Sequence, residues 1–172
     1  MQHTGANGVI AHPVNQDETA GSLHDKLMLK GAELVERTVH AVLSGKAVYR
    51  PQDDSKATKA PKIFNEDCQI KPANHKVKDL YNFIRGLSPY PGAWFKMDDT
   101  VIKVFKSSYQ INTTEYPAGS IISDGKSYLC LCGLDGYLLI EELQMQGKKR
   151  MDIKSFLNGF DIKKSNTIIS KS

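Results

Sequence analysis

The stretch Ile84-Arg85-Gly86-Leu87-Ser88-Pro89-Tyr90-Pro91-Gly92-Ala93-Trp94 divides the chain into two kinds of pattern. Upstream of it, Val77, Leu80, Tyr81 and Ile84 fall at i, i+3, i+4 and i+7, the spacing of one helix face. A short helix is therefore expected from Asn74 to Gly86. Pro89 and Pro91 forbid its continuation, because each lacks the N–H that a helix needs and fixes its own φ. Downstream the hydrophobic period becomes two. Ala93–Met97 and Val101–Ser107 are expected strands joined around Asp98-Asp99. Gly119–Ser123 and Lys126–Cys132 are joined around Asp124-Gly125, and Tyr137–Leu143 follows Leu134-Asp135-Gly136. Short strands with a turn signal about every ten residues indicate a small barrel or sandwich. Two prolines and two glycines make the stretch a rigid elbow, on which Tyr90 and Trp94, the single tryptophan, supply broad apolar surface.

Working outward, a last helix is expected over Ile153–Leu157, from Asp152 to Gly159, and Lys163–Ser172 is a polar tail expected to fray. Residues 46–73 hold Lys, Asp, Pro and Ala with isolated apolar residues, the composition of a linker. Before it, Leu23, Leu27, Leu34, Val35, Val39 and Val42 recur at helical spacing, with Asp17-Glu18-Thr19 to cap the start and Gly45 to end it. Gly31 interrupts this helix and is expected at a kink or a close packing contact. Val9–Val14 is an expected strand with Pro13 near its end. The apolar face of the long helix needs a partner that the preceding residues are too few to supply.

The composition, 40% hydrophobic and 24% charged, is that of a soluble globular protein. No apolar run reaches the roughly 20 residues of a membrane span. Met1-Gln2-His3-Thr4-Gly5 has neither a basic leader nor an apolar stretch, so no signal peptide is expected. Three cysteines without framework spacing suit a reducing cytoplasm. Charge is uneven: residues 1–43 carry three Lys/Arg against five Asp/Glu, residues 44–90 nine against five, and residues 91–172 eleven against nine. The basic middle and end favour a polyanionic partner, although a solvated lysine-rich surface gives the same count.

Few residues point to chemistry. Cys130 and Cys132 alternate on one face of a strand without further ligands nearby, so small apolar packing is expected rather than a metal site. The five histidines show no paired spacing, and Gly5-Ala6-Asn7-Gly8 lacks the strand and helix of a phosphate loop. Asp98-Asp99 and Glu141-Glu142 diverge from turn and strand and make a poor acid–base dyad. Two features stand above this background. Arg85, at the end of its helix, can face the helix dipole or fork onto a phosphate. Gln144-Met145-Gln146-Gly147-Lys148-Lys149-Arg150-Met151 sets three successive cations on a loop, a composition that suits phosphate contact.

Four stretches, in order and at fitting separations, resemble bacterial methionyl-tRNA formyltransferase: Asp17 through Leu27, Asp53 through Ile63, the elbow, and Gln144–Met151 with Phe156-Leu157-Asn158-Gly159. The resemblance spans about residues 8 to 160. It implies an α+β chain: residues 1–45 as the truncated end of a Rossmann-like formyltransferase domain (a strand plus the long helix), 46–73 as linker, 74–160 as an OB-like antiparallel β-barrel with its leading helix, and 161–172 as tail. It implies an enzyme that moves a formyl group from 10-formyltetrahydrofolate to the amino group of initiator methionyl-tRNA, without a metal. The family's catalytic Asn and His lie upstream of this sequence, and where the family has Asp before a Thr-Gly pair this chain has His3. No catalytic residue is therefore assigned, no folate is expected to bind, and the chain is expected to be a fragment, inactive alone. The resemblance gives tRNA-facing roles to Lys56, Lys59, Lys62, Arg85, Lys148, Lys149 and Arg150. Self-association through helix 19–44 is expected. The alternatives are an adaptor whose barrel binds protein and a piece of a sugar-nucleotide formyltransferase.

Overall fold

Helix α1 (Ala20–Leu43) starts where the sequence places its cap. In the computed structural model, which describes residues 4–6, 12–51, 53–161, 165 and 168–170, Thr19 Oγ1 accepts the Ser22 N–H at 3.1 Å and Ser22 Oγ accepts the Thr19 N–H at 3.0 Å. This reciprocal box satisfies two donors that a helix start leaves open. Glu18, 5% exposed, accepts the Ser22 hydroxyl on one oxygen and Lys26 Nζ on the other at 2.7 Å. The Lys26 and Ser22 contacts hold its carboxyl below the usual range. At the other end Gly45 takes φ +67°, the Gly45 N–H bonds Val42 O and the Lys46 N–H bonds Ala41 O. Those are the two bonds of a Schellman cap, which needs a residue tolerant of the left-handed region.

Gly31 is not a packing contact: the helix runs on through it, and a Cβ there would meet nothing within 4 Å. Ala at this position removes only glycine's helix penalty. Gly31→Ala should stabilise α1 by about 1 kcal/mol, seen as a higher midpoint when helical circular dichroism is followed on heating.

The chain forms two compact units, Met1–Lys62 and Ile63–Ser172. In the first, β1 (Thr4–Ala6) pairs antiparallel with β2 (Tyr49–Pro51). The strand expected over Val9–Val14 is not seen at His12–Val14, which lie outside any element, and residues 9–11 lie outside the described residues. No residue of α1 is buried. Leu27, Met28, Leu29, Val35, Val39, Val42 and Leu43 are all exposed.

The second unit begins earlier than the pattern of residues 46–73 indicates. Cys68 and Ile70 are buried, the Ile70 N–H bonds Trp94 O at 2.7 Å, and Trp94 Nε1 donates to Asn65 O at 2.8 Å. Helix α2 (Val77–Leu87) follows a 3₁₀ turn at Pro72–Asn74 instead of starting at Asn74. No local side chain caps it; the Val77 N–H donates to Asp135 Oδ1 at 2.8 Å, from a turn 58 residues away.

Beyond the elbow come β3 (Ala93–Met97), β4 (Thr100–Ile111), β5 (Ile121–Ser123), β6 (Leu129–Cys132), β7 (Gly136–Met145), β8 (Met151–Asp152), α3 (Ile153–Gly159) and β9 (Ile168–Ser170). They form one mixed sheet in the order β3-β4-β7-β6-β5-β9, with β8 also on β7. All pairs are antiparallel except β5–β9. The polar tail is thus not frayed throughout: Ile168 and Ile169 pair with Ile121 and Ile122 and extend the sheet at its open edge.

Two apolar clusters line this sheet, one on each face. Val77, Leu80, Ile84 and Leu87 of α2 join Ile102, Val104, Leu131, Leu138, Leu143 and, from α3, Phe156 and Leu157 in the main core. Ile122, Cys130 and Cys132 pack on the opposite face with Tyr116, Tyr128, Tyr137 and Leu139. The two cysteines do share a face as small packing residues, and they form no disulfide. Burial keeps the Cys132 thiol above its usual range. Because both faces are covered, all four residues of β6 are buried and the alternating pattern is lost there.

The β5–β6 turn is held by the Ser123 hydroxyl, which accepts the Gly125 N–H and donates to Tyr128 O, and by the Asp124 carboxylate. Partial burial alone would raise the pKa of Asp124, yet the hydroxyl and N–H of Ser127 and the N–H groups of Lys126 and Tyr128 hold it well below the carboxylate range. Asp124→Ala should cost about 1–3 kcal/mol at neutral pH. Since the folded-state pKa is depressed, this contribution is full above the ordinary value of 3.8 and is lost as the pH falls below it. Urea unfolding at pH 7 and pH 3 should show the gap between variant and parent narrowing in acid.

Candidate nucleic-acid interface

The long strand β4 joins the elbow to the basic loop. Its pairing with β7 slips at Phe105 and again at Glu141, so two bulges flank Lys106. At the first bulge the Phe105 carbonyl accepts the Ser88 hydroxyl at 3.0 Å, with Ser88 only 3% exposed. The Gly92 N–H closes the elbow onto Leu87 O at 2.9 Å, and Lys103 Nζ donates to Pro91 O at 3.0 Å. Both X-Pro bonds are cis. Gly92 has φ +88°, and a Cβ there would lie 3.4 Å from Lys103 Cδ and 3.5 Å from a Phe105 ring carbon. Lys103, Phe105 and the elbow therefore touch.

On its other side Lys103 stands opposite Gln144 in the β4–β7 register. Together with Val101, Met145, Gln146 and Gly147, these two line a shallow recess of about 340 Å³. The Gln144 amide donates to Lys148 O at 2.9 Å, and the Lys148 N–H bonds Met145 O at 3.0 Å. Gly147, at φ +75°, makes the turn possible. Lys148 and Lys149 leave this braced turn exposed. The cations of the loop are thus held on a defined backbone beside Lys103 and the elbow.

Arg150 behaves differently from its two neighbours. Its guanidinium makes both bonds to the Glu142 carboxylate, at 2.5 and 2.6 Å, and its Cζ lies 4.4 Å from the Phe105 ring centroid. With its fork filled and its charge compensated, it braces the loop against the bulge. Arg85 closes the last turn of α2, where its Nε donates to Asn82 Oδ1 at 2.9 Å and its Cζ sits 6.0 Å from the Tyr81 centroid. Lys56, Lys59 and Lys62 are exposed in the other unit; Lys56 Nζ is 3.4 Å from Asp53 Oδ2. The structure thus brings Arg150 to Phe105, which borders the elbow that Arg85 leads into, and Lys148 and Lys149 precede it on the same turn. Lys103 was absent from the sequence-derived set. The signal for it was faint: a lysine at a half-buried strand position, directly opposite Trp94.

A second recess, of about 360 Å³, opens on the Cys130 face between Tyr116, Tyr128 and Tyr137. Its lining contains Glu115 and no lysine or arginine, so it offers no cation to a phosphate. Among the described residues no three His, Cys, Asp or Glu side chains are grouped to hold a metal ion, and no helix is long and apolar enough to cross a membrane.

Comparison with known proteins agrees with this architecture. Residues 62–161 match the family described as formyl transferase, C-terminal domain. Methionyl-tRNA formyltransferase of Parabacteroides distasonis is 39% identical over 158 residues, covering 86% of this chain and 48% of that protein. Methionyl-tRNA formyltransferase of Bacteroides thetaiotaomicron is 38% identical over 173 residues, covering 93% and 53%. The chain spans about half the length of these relatives. A variant of HypX from Aquifex aeolicus superposes with a TM-score of 0.65 at 16% identity, over 95% of this chain and 30% of that one. HypX in complex with tetrahydrofolic acid gives a TM-score of 0.61 at 15% identity, over 89% and 27%. At such identities the likeness concerns the fold alone. A family match over more than half of the chain, together with relatives of one name along nearly all of it, places this protein in the formyl transferase family, through its C-terminal domain.

Proposed function

We propose that these 172 residues are the tRNA-holding part of a methionyl-tRNA formyltransferase, and that the cationic end of the second unit is the surface that holds the RNA. The carrying observation is the braced turn from which Lys148 and Lys149 extend, whose Gln144 and Gly147 share a recess with Lys103, itself bonded to the elbow at Pro91. Cations on a fixed backbone lose little freedom when a polyanion docks, and each phosphate they neutralise releases condensed counterions. Such contacts position an RNA without reading its sequence. Arg85 borders the surface and Arg150 supports it through Glu142, while a tRNA-facing role for Lys56, Lys59 and Lys62 in the first unit rests on the family resemblance alone.

In this reading the whole protein moves the formyl group of 10-formyltetrahydrofolate to the amino group of initiator methionyl-tRNA in the cytoplasm. The folate and the reacting residues belong to polypeptide other than this chain, which is inactive alone. The second unit corresponds to an OB-like barrel, and α1 to the end of a Rossmann-like domain. The exposed apolar stripe of α1 supports self-association when nothing covers it.

Titration of the pure chain into labelled initiator tRNA tests the proposal. With three or four phosphates contacted, log K should fall with log[salt] at a slope of about −3. A salt-independent affinity, or no binding at low salt, would overturn it.

A further inference from the structure

Tyr90 stands at the apex of the elbow and is 85% exposed, more than any other large hydrophobic side chain among the described residues. Everything around it is fixed. Pro89 and Pro91 flank it, and the Ser88 hydroxyl, the Gly92 N–H and the Pro91 carbonyl are all engaged by the body of the unit. Trp94, four residues on, is buried and hydrogen-bonded, so the elbow contributes one aromatic residue to the core and holds the other out in water. An aromatic ring presented on rigid backbone loses little entropy on binding, having only two side-chain torsions to fix. Lys103, bonded to the Pro91 carbonyl, gives the elbow a positive charge, and the recess it lines runs on to Gly147, next to Lys148 and Lys149 in the chain.

A planar ring on a cationic surface matches a partner that offers π faces along an anionic backbone. We infer that Tyr90 is a stacking platform for an unpaired base of the bound RNA, which therefore docks with a single-stranded segment at the elbow. This rests on the RNA-binding role proposed above and assigns it a contact that is not electrostatic. Stacking is available only where a base has left the duplex, so paired RNA should not use it.

The test compares a hairpin RNA, its loop replaced by a non-nucleotide linker so that the stem offers no unpaired base, carrying a single-stranded 3′ tail with the same hairpin made blunt, using the full chain and fluorescence anisotropy across a salt series. Tyr90→Ala should weaken binding of the tailed hairpin about tenfold and leave its log–log salt slope unchanged, because no phosphate contact is removed. Binding of the blunt hairpin should not change. Tyr90→Trp should retain or improve tailed binding, and an unaltered circular dichroism spectrum shows that the exposed substitutions leave the fold intact. Equal losses on both RNAs, or no loss on either, would overturn the inference while leaving the RNA-binding role standing. If the unmodified chain bound neither hairpin, that role itself would have failed. If Tyr90→Ala instead abolished self-association in sedimentation while sparing both RNAs, the ring would be a protein contact.

Discussion

Replacing Lys148 and Lys149 together by glutamate lowers the affinity of the chain for initiator tRNA by about 10- to 100-fold at low salt, and makes the salt slope shallower by about 2. The two effects have one origin. Each lysine that neutralises a phosphate contributes about one unit of slope, and reversing its charge also adds repulsion that salt screens. The braced turn makes the effect large, because the Gln144 amide and the Met145 carbonyl fix the backbone from which both side chains extend. Arg150→Glu is a different experiment. It places a carboxylate against Glu142 and removes the cation over Phe105, so it should loosen the turn as well as change its charge. Lys126→Glu is the control: that lysine is also exposed, but on the β5–β6 turn, and its reversal should leave tRNA affinity nearly unchanged.

Gly136→Ala should destabilise the second unit by about 3 kcal/mol. A Cβ at Gly136 would lie 1.9 Å from the Gln110 carbonyl oxygen and 3.0 Å from Ile111 Cα, so the obstruction is backbone and cannot rotate away. Gly136 faces Ile111 at the start of the β4–β7 pairing, on which α2 and α3 both pack. Relief requires the two strands to part. That would disturb Asp135 next door, whose carboxylate caps α2 at Val77. A domain of this size is held by roughly 5–15 kcal/mol, so the loss is a large share of the whole. Urea unfolding followed by tryptophan fluorescence at Trp94 measures it. Gly86→Ala, in helix α2 with nothing within 4 Å of the added carbon, should leave the midpoint unchanged or raise it.

How much of this was legible in the sequence follows from the range of each interaction. Thr19 with Ser22, and Ser44-Gly45-Lys46, act within a few residues, and both ends of α1 fall where they were expected. The elbow and the hairpin periods were equally local. The start of α2 was not, because its cap comes from Asp135; neighbouring residues favoured Asn74 instead. The same holds for the site. Three cations in a row are visible in any one-dimensional reading. That Arg150 is engaged by Glu142, eight residues away, while Lys148 and Lys149 stay exposed depends on the β7–β8 pairing. Lys103 enters through its register with Gln144 and its reach to Pro91, neither of which leaves a trace in composition. Residues 63–73 read as linker because their apolar groups are isolated. Cys68, Ile70 and the carbonyl of Asn65 nevertheless complete the edge around Trp94.

The proposed role depends on which face of the second unit meets the RNA. Amide chemical-shift mapping of the isotope-labelled chain, titrated with initiator tRNA, distinguishes the faces directly. The prediction is that shifts and broadening concentrate on Arg85–Gly92, Lys103 and Gln144–Arg150. Perturbations centred on Tyr116, Tyr128 and Tyr137, or a spectrum that saturating tRNA leaves unchanged, would contradict it.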